Sequence, residues 1–107
     1  MIIVRYVFQA RFGQGDAMVK AYKEVGALIR EQLPQVRRSR VLTDLSGPFA
    51  TIVNELEFES LAAWEASRPA MFSSPVFGEL MARTGDTIES GHAEFYTLED
   101  EVLGSSQ

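Results

Sequence analysis

The chain has 107 residues, no cysteine, one histidine and a formal net charge of −5 at pH 7. This length allows one hydrophobic core but not two, so we expect a single domain. The lack of cysteine excludes disulfides and thiolate chemistry, and the acidic balance argues against a nucleic-acid partner, since such proteins neutralise phosphates with Lys and Arg.

The first predicted strand, residues 2–12, has two different faces. Its alternate positions from Ile2 to Phe12 are all apolar, whereas the intervening positions include Arg5 and Gln9. Because successive side chains of a strand point to opposite faces, one face packs against a hydrophobic layer and the other faces a more polar space. We expect that polar space to be a shared cavity.

A helix is predicted from Asp16, a residue type that caps helix starts, to the residue before Pro34, which ends it. Its apolar residues recur every three or four positions and form one stripe: Met18, Ala21, Tyr22, Val25, Leu28, Ile29 and Leu33. Residues 36–45 and 49–58 then predict a β-hairpin, because the turn between them contains Ser, Gly and Pro.

A second helix is predicted to begin after Ser60, which can cap it. Pro69 is expected to break this helix, because proline cannot donate an interior amide hydrogen bond. Ser74, followed by a proline, predicts a new helical start, and Gly91 is expected to end that segment. Residues 92–98 predict the last strand.

This order of elements predicts a ferredoxin-like βαββαβ fold of the α+β class, with a four-stranded antiparallel sheet and both helices on one face. The domain is expected to span residues 1–99, and residues 100–107 a flexible tail. The other face of the sheet would expose several apolar side chains, so we expect a second copy of the chain to cover it in a homodimer.

Three stretches of sequence, residues 58–65, 72–77 and 94–99, resemble dimeric α/β barrel proteins. With the order of the elements, they are most similar to small NIPSNAP-like and antibiotic-biosynthesis-monooxygenase-like members of that superfamily. The resemblance covers nearly all of residues 1–99 and implies the ferredoxin-like fold and a dimeric barrel. It leaves the activity open, because the superfamily includes cofactor-less monooxygenases, heme-degrading enzymes, isomerases and ligand-sensing domains.

Ionisable side chains on the polar sheet face form the predicted site. His92 and Tyr96 are the candidates for proton transfer, since histidine titrates near neutral pH. The substrate-binding candidates are Arg5, Gln9, Glu55 and Glu94, with Trp64 and Phe77 as walls of a cavity between the sheet and the second helix. A structural charge network across adjacent strands is the alternative role for Arg5, Glu55 and Glu94.

The sequence predicts no metal and no cofactor. A single histidine with two glutamates lacks a distinctive ligand spacing, and the loop at residues 13–15 lacks a nucleotide-binding fingerprint. Heme-degrading relatives carry an axial histidine on the second helix, and none lies between Ser60 and Gly91.

Two functions remain open. One is a cofactor-independent monooxygenase-like enzyme acting on a small aromatic or carboxylate substrate, and the other is a noncatalytic ligand-binding or assembly module. Neither a long apolar run nor a secretory signal pattern is present, so we expect a cytoplasmic protein with no membrane partner.

Overall fold

The computed structural model describes residues 1–105, which form a four-stranded sheet and three α-helices. The strands are β1 (Ile2–Ala10), β2 (Val36–Thr43), β3 (Thr51–Phe58) and β4 (Ile88–Thr97), and the helices are α1 (Gly15–Gln32), α2 (Leu61–Ser73) and α3 (Pro75–Thr84). The sheet is antiparallel throughout, in the order β2-β3-β1-β4. The ferredoxin-like α+β fold predicted from the sequence is therefore confirmed.

The core lies between the helices and one face of the sheet. The predicted apolar stripe of α1 is buried along its whole length, from Met18 to Leu33. The central strands contribute alternate residues to the same layer: Val4 from β1 and Ile52, Leu56 and Phe58 from β3. Burying a large apolar side chain contributes about 1.5–3 kcal/mol, so this layer determines which face of the sheet is covered.

Pro69 does not break the second helix, contrary to the prediction. Helix α2 continues through it to Ser73, and the interruption falls at Ser74, whose hydroxyl accepts a hydrogen bond from the Phe77 amide at the start of α3. Glu65 and Pro69 are both exposed. The Glu65 carbonyl, which loses its amide partner to the proline, is thus on the side of the helix where water can replace the bond.

Gly91 lies inside β4 and does not end a helix, because a short 3-10 turn, Gly85–Thr87, already separates α3 from β4. In the β1–β4 register Gly91 is opposite Phe8, and a Cβ on Gly91 would come within 2.8 Å of Phe8 Cε1. The absence of a side chain leaves room for the Phe8 ring, which stacks on Tyr22 with a centroid distance of 5.6 Å. The last strand starts at Ile88, four residues earlier than predicted.

The end of the chain follows β4 without regular secondary structure from residue 98 to residue 105. Glu101 lies 3.7 Å from the guanidinium of Arg38 on β2. Residues 106 and 107 of the predicted tail lie outside the described residues. None of the helices formed by residues 1–105 has the length and apolar character needed to cross a membrane.

Candidate functional site

A cavity of about 330 Å³ lies between the helices and the covered face of the sheet. Its walls are mainly aromatic and aliphatic, and the aromatic ones include Tyr6, Phe8, Tyr22, Trp64, Phe77 and Phe95. This volume is at the lower end of the range found for small-molecule sites, which are mostly apolar with a few placed polar groups. The cavity is therefore of a size and character suited to a small apolar ligand.

Trp64 of α2 is held in place from two directions. Its indole Nε1 donates a hydrogen bond of 3.0 Å to the hydroxyl of Tyr6 on β1, and its ring packs edge-on against Phe95 of β4 at 4.9 Å. The helix that carries Trp64 is capped by Ser60, whose Oγ accepts a 3.1 Å hydrogen bond from the Ala63 amide. Because the Tyr6 oxygen acts as the acceptor, its own proton remains available to a ligand.

Asn54 of β3 is a cavity residue that the sequence interpretation missed. It lies opposite Tyr6 in the sheet register, is only 5% exposed and lines the cavity. Its carboxamide can both donate and accept hydrogen bonds. The signal was present in the sequence, because Asn54 is a polar residue in the alternation that otherwise places Ile52, Leu56 and Phe58 in the core.

Arg68 lies at the mouth of the cavity and was also missed. Its guanidinium carbon is 4.8 Å from the centroid of the Trp64 ring and 5.2 Å from that of Phe72. Phe72 in turn packs edge-on against Phe77 at 5.7 Å. The four-residue spacing of Trp64, Arg68 and Phe72 places them on one face of α2.

The structure places the predicted site residues on two opposite faces of the sheet. Trp64 and Phe77 line the cavity. The other six project from the uncovered face, which we call the open face: Arg5, Gln9, Glu55, His92, Glu94 and Tyr96. The prediction that all eight share one cavity is corrected, because the sheet itself separates the two sets. The cavity is formed under the apolar positions of β1, whereas the polar positions point away from it.

Arg5 is the centre of a charge network on the open face. Its Nε lies 3.7 Å from Glu55 Oε2 and its Nη1 lies 3.5 Å from Glu94 Oε1. Arg40 of β2 also pairs with Glu55. Positive and negative side chains therefore alternate across all four strands, as in the structural network considered from the sequence.

Glu94 joins this network to the two predicted proton-transfer residues. Its carboxylate accepts a 2.9 Å hydrogen bond from the Tyr96 hydroxyl, and His92 Nε2 lies 2.9 Å from its other oxygen. The hydrogen bonds with His92 and Tyr96, together with the charge of Arg5, lower the pKa of Glu94. The same carboxylate raises the pKa of Tyr96, so the phenol keeps its proton near neutral pH.

Gln9 is also held by a polar neighbour on the open face. Gln9 Nε2 donates a 2.8 Å hydrogen bond to the Thr51 hydroxyl on the neighbouring strand. Across residues 1–105, no three His, Asp or Glu side chains are grouped so that they could hold a metal ion. The polar residues of this face thus bind mainly to one another.

No family model matches the chain, and no curated protein matches it. Solved structures do match. An uncharacterized NIPSNAP domain protein from Burkholderia xenovorans is similar with a TM-score of 0.80 and 17% identity, over 97% of this chain and 100% of that chain. The chain has the same fold as this NIPSNAP domain protein.

Two further structures support this likeness of fold. A NIPSNAP family protein with unknown function from Agrobacterium tumefaciens is similar with a TM-score of 0.76 and 18% identity, over 90% of this chain and 86% of that chain. An antibiotic biosynthesis monooxygenase is similar with a TM-score of 0.72 and 17% identity, over 94% of this chain and 100% of that chain. The resemblance inferred from the sequence is confirmed for the fold, and a fold alone assigns no activity.

Proposed function

We propose that the protein binds a small aromatic molecule in the cavity between the helices and the sheet. The observation that supports this most directly is the convergence of Asn54 and the Trp64–Tyr6 pair on a mainly aromatic and aliphatic cavity of about 330 Å³. An apolar wall with a few oriented polar groups is the usual composition of a small-molecule site. The ring system of the ligand would pack on the aromatic walls, and an oxygen substituent would meet the Tyr6 hydroxyl and the Asn54 amide.

We further propose that the bound molecule is oxidised by dioxygen in a monooxygenase-like reaction. For a substrate with a methylene group activated by a phenolic ring system, the methylene carbon and one molecule of dioxygen give a carbonyl group and one molecule of water. Both C–H bonds of the methylene break, one oxygen atom becomes the carbonyl oxygen, and the other leaves as water with both hydrogens. The carbon supplies all the electrons that dioxygen accepts, so no external reductant takes part.

The role proposed for the chain in this reaction is positioning and charge stabilisation. Ionisation of the substrate's phenol, with loss of its proton to solvent, creates an oxyanion on the substrate. Donors that are fixed before the reaction stabilise such charge without reorganising. The Tyr6 hydroxyl is fixed by Trp64, at 3.0 Å, and Asn54 is buried beside it. A solved structure with the same fold is an antibiotic biosynthesis monooxygenase, and this is the comparison that suggests the reaction class.

Trp64 provides the assay, because it is the only tryptophan of the chain and it lines the cavity. A panel of naphthols, naphthoic acids, quinols and anthrone-type compounds would be titrated while the tryptophan fluorescence and the melting temperature are recorded. A ligand at about 100 times its Kd should raise the free energy of unfolding by about 2.7 kcal/mol. Oxygen uptake with the compounds that bind then separates an enzyme from a noncatalytic binding module.

A matched pair of variants tests where the ligand binds. Ala93 lines the cavity from β4, so Ala93→Leu should fill part of the cavity and weaken binding. Ala82 is exposed on α3 and does not line the cavity, so Ala82→Leu is the control. Binding that is equally strong in both variants, or no binding by any compound of the panel, would contradict the proposal.

We also propose that a second copy of the chain covers the open face. Leu42 is 41% exposed and Tyr96 is 48% exposed on that face, and Val7 is half-buried. The alternating charges of the open face allow a copy related by a two-fold axis to place opposite charges in contact. A ligand bound by Arg5 or His92, as the sequence predicts, would be enclosed only in such a dimer.

Light scattering over a dilution series tests the dimer. We expect about twice the chain mass for the parent protein. Leu42→Lys should shift the protein toward the monomer, since it would bury an uncompensated charge. Leu45→Lys, in the loop after β2 and 103% exposed, is the control. A parent protein that is monomeric at every concentration would reject the proposal.

A further inference from the structure

Arg68 is held over the mouth of the cavity by two aromatic rings of its own helix. Trp64 and Phe72 lie one turn before and one turn after it, and the guanidinium carbon is 4.8 Å and 5.2 Å from their ring centroids. A guanidinium stacked on aromatic faces keeps its N–H groups free in the plane of the guanidinium. The two ring contacts therefore position the Arg68 guanidinium without using its hydrogen-bond donors.

The charge of Arg68 is not compensated by the protein. Among residues 1–105, Arg5, Arg38, Arg40 and Arg83 each form an ion pair with a glutamate. No carboxylate of that part of the chain lies within ion-pair distance of Arg68, although Glu65 is only three residues away on the same helix. Arg68 is thus an oriented cation with free donors, beside a cavity whose interior is mainly apolar.

We infer that Arg68 selects ligands that carry a carboxylate, an inference that rests on the proposed binding of an aromatic molecule in the cavity. The aromatic part would enter between Trp64 and Phe77, and the carboxylate would stay at the mouth and bind the guanidinium. The interior is unsuited to the charge, because an ionised group without a partner is costly to bury. An arginine fork binds a carboxylate through two parallel, charge-assisted hydrogen bonds.

The overall charge makes a local cation more important for such a ligand. The chain carries a formal net charge of −5, which repels anions from the protein as a whole. Arg68 is the cation among the cavity-lining residues. Preference for an acid over its neutral analogue should therefore depend on this one side chain.

Isothermal titration calorimetry with 2-naphthoic acid and its neutral analogue 2-naphthamide tests the inference. The parent protein should bind the acid at least about tenfold more tightly than the amide, as expected for hydrogen bonds to a charged group. Arg68→Gln should weaken the binding of the acid by about tenfold to hundredfold and change the affinity for the amide by less than about twofold. The affinity of Arg68→Lys for the acid should lie between those of the parent and of Arg68→Gln, since lysine keeps the charge but lacks the planar pair of donors.

Arg30→Gln is the matched control, because Arg30 is exposed on α1, does not line the cavity and changes the net charge equally. It should bind both probes as the parent does. An equal loss of acid and amide binding in Arg68→Gln would overturn the inference and make Arg68 a packing residue. Equal affinity of the parent for both probes would overturn it while leaving the proposed function intact. Binding of neither probe would overturn the inference, whereas the proposed function would be overturned only if no compound of the panel binds.

Discussion

Phe58→Ala should be one of the most destabilising single substitutions in this chain. Phe58 is 1% exposed, lies between Ile2 of β1 and Val36 of β2 in the sheet register, and borders the cavity. Truncation loses the transfer free energy of the ring and leaves a void, which together cost about 3–5 kcal/mol at a fully buried site. We expect a value near the lower end of that range, because the void merges with a cavity that already exists.

The assay is urea unfolding, with calorimetry for the melting temperature. For a domain of this size 1 kcal/mol corresponds to about 4–8 °C, so a loss of about 3 kcal/mol should lower the melting temperature by about 12–24 °C. Phe49→Ala is the control, since Phe49 is 91% exposed in the loop between β2 and β3 and should change stability by less than about 0.5 kcal/mol. A loss below about 1 kcal/mol at Phe58, or a larger loss at Phe49, would refute the assignment of the covered sheet face.

Three further predictions concern single contacts. Gly91→Ala should cost about 1–3 kcal/mol of stability, because the new Cβ displaces the Phe8 ring. Gly78→Ala, which has open space in α3, should be neutral or stabilising in the same urea assay. Equal effects of the two substitutions would contradict the close approach of Phe8 to Gly91. The lowered pKa of Glu94 means that its ionised form stabilises the fold above the unfolded-state pKa and that this contribution is lost as the pH falls through the folded-state pKa. The melting temperature of the parent should therefore fall more steeply on acidification than that of Glu94→Gln, and parallel curves would count against the network. Tyr6→Phe should cost about 0.5–1.5 kcal/mol, since it leaves Trp64 Nε1 without its acceptor; unchanged stability and unchanged naphthol binding would exclude a role for this pair.

The faces of the central strand and of the first helix could be predicted from the sequence. The spacing from Met18 to Leu33 is matched by burial in the structure. In β1 the two buried residues, Val4 and Ala10, both belong to the predicted apolar face. Burial of apolar area is the dominant favourable term in folding, so a clean period over many residues is a reliable guide. The order of the elements then leaves few topologies to consider.

The position of the cavity could not be predicted in this way. Alternation shows that the two faces of β1 differ, but an empty volume depends on how the side chains of α2 and α3 pack over the sheet, which no local pattern encodes. The sequence interpretation assigned polar residues such as Arg5 and His92 to the cavity only on the basis of their polarity. Asn54, a single polar residue on the apolar face, was the more informative signal, since a buried amide needs a partner from the protein or a ligand.

Two helix boundaries were misplaced for a related reason. Pro69 and Gly91 have strong local preferences, but tertiary context decided both. Water can replace the hydrogen bond lost at Pro69 because that side of α2 is exposed. Gly91 of β4 leaves room for the ring of Phe8 on the neighbouring strand β1 and does not end a helix.

The most direct test of the account is an NMR titration of the isotope-labelled protein with 2-naphthoic acid. If the ligand binds between the helices and the sheet, the indole N–H of Trp64 and the side-chain amide of Asn54 should shift with the same saturation curve, while the His92 ring and the Gln9 amide stay unchanged. Shifts of His92 and Gln9 without a shift of Trp64 would place the ligand on the open face and contradict the account.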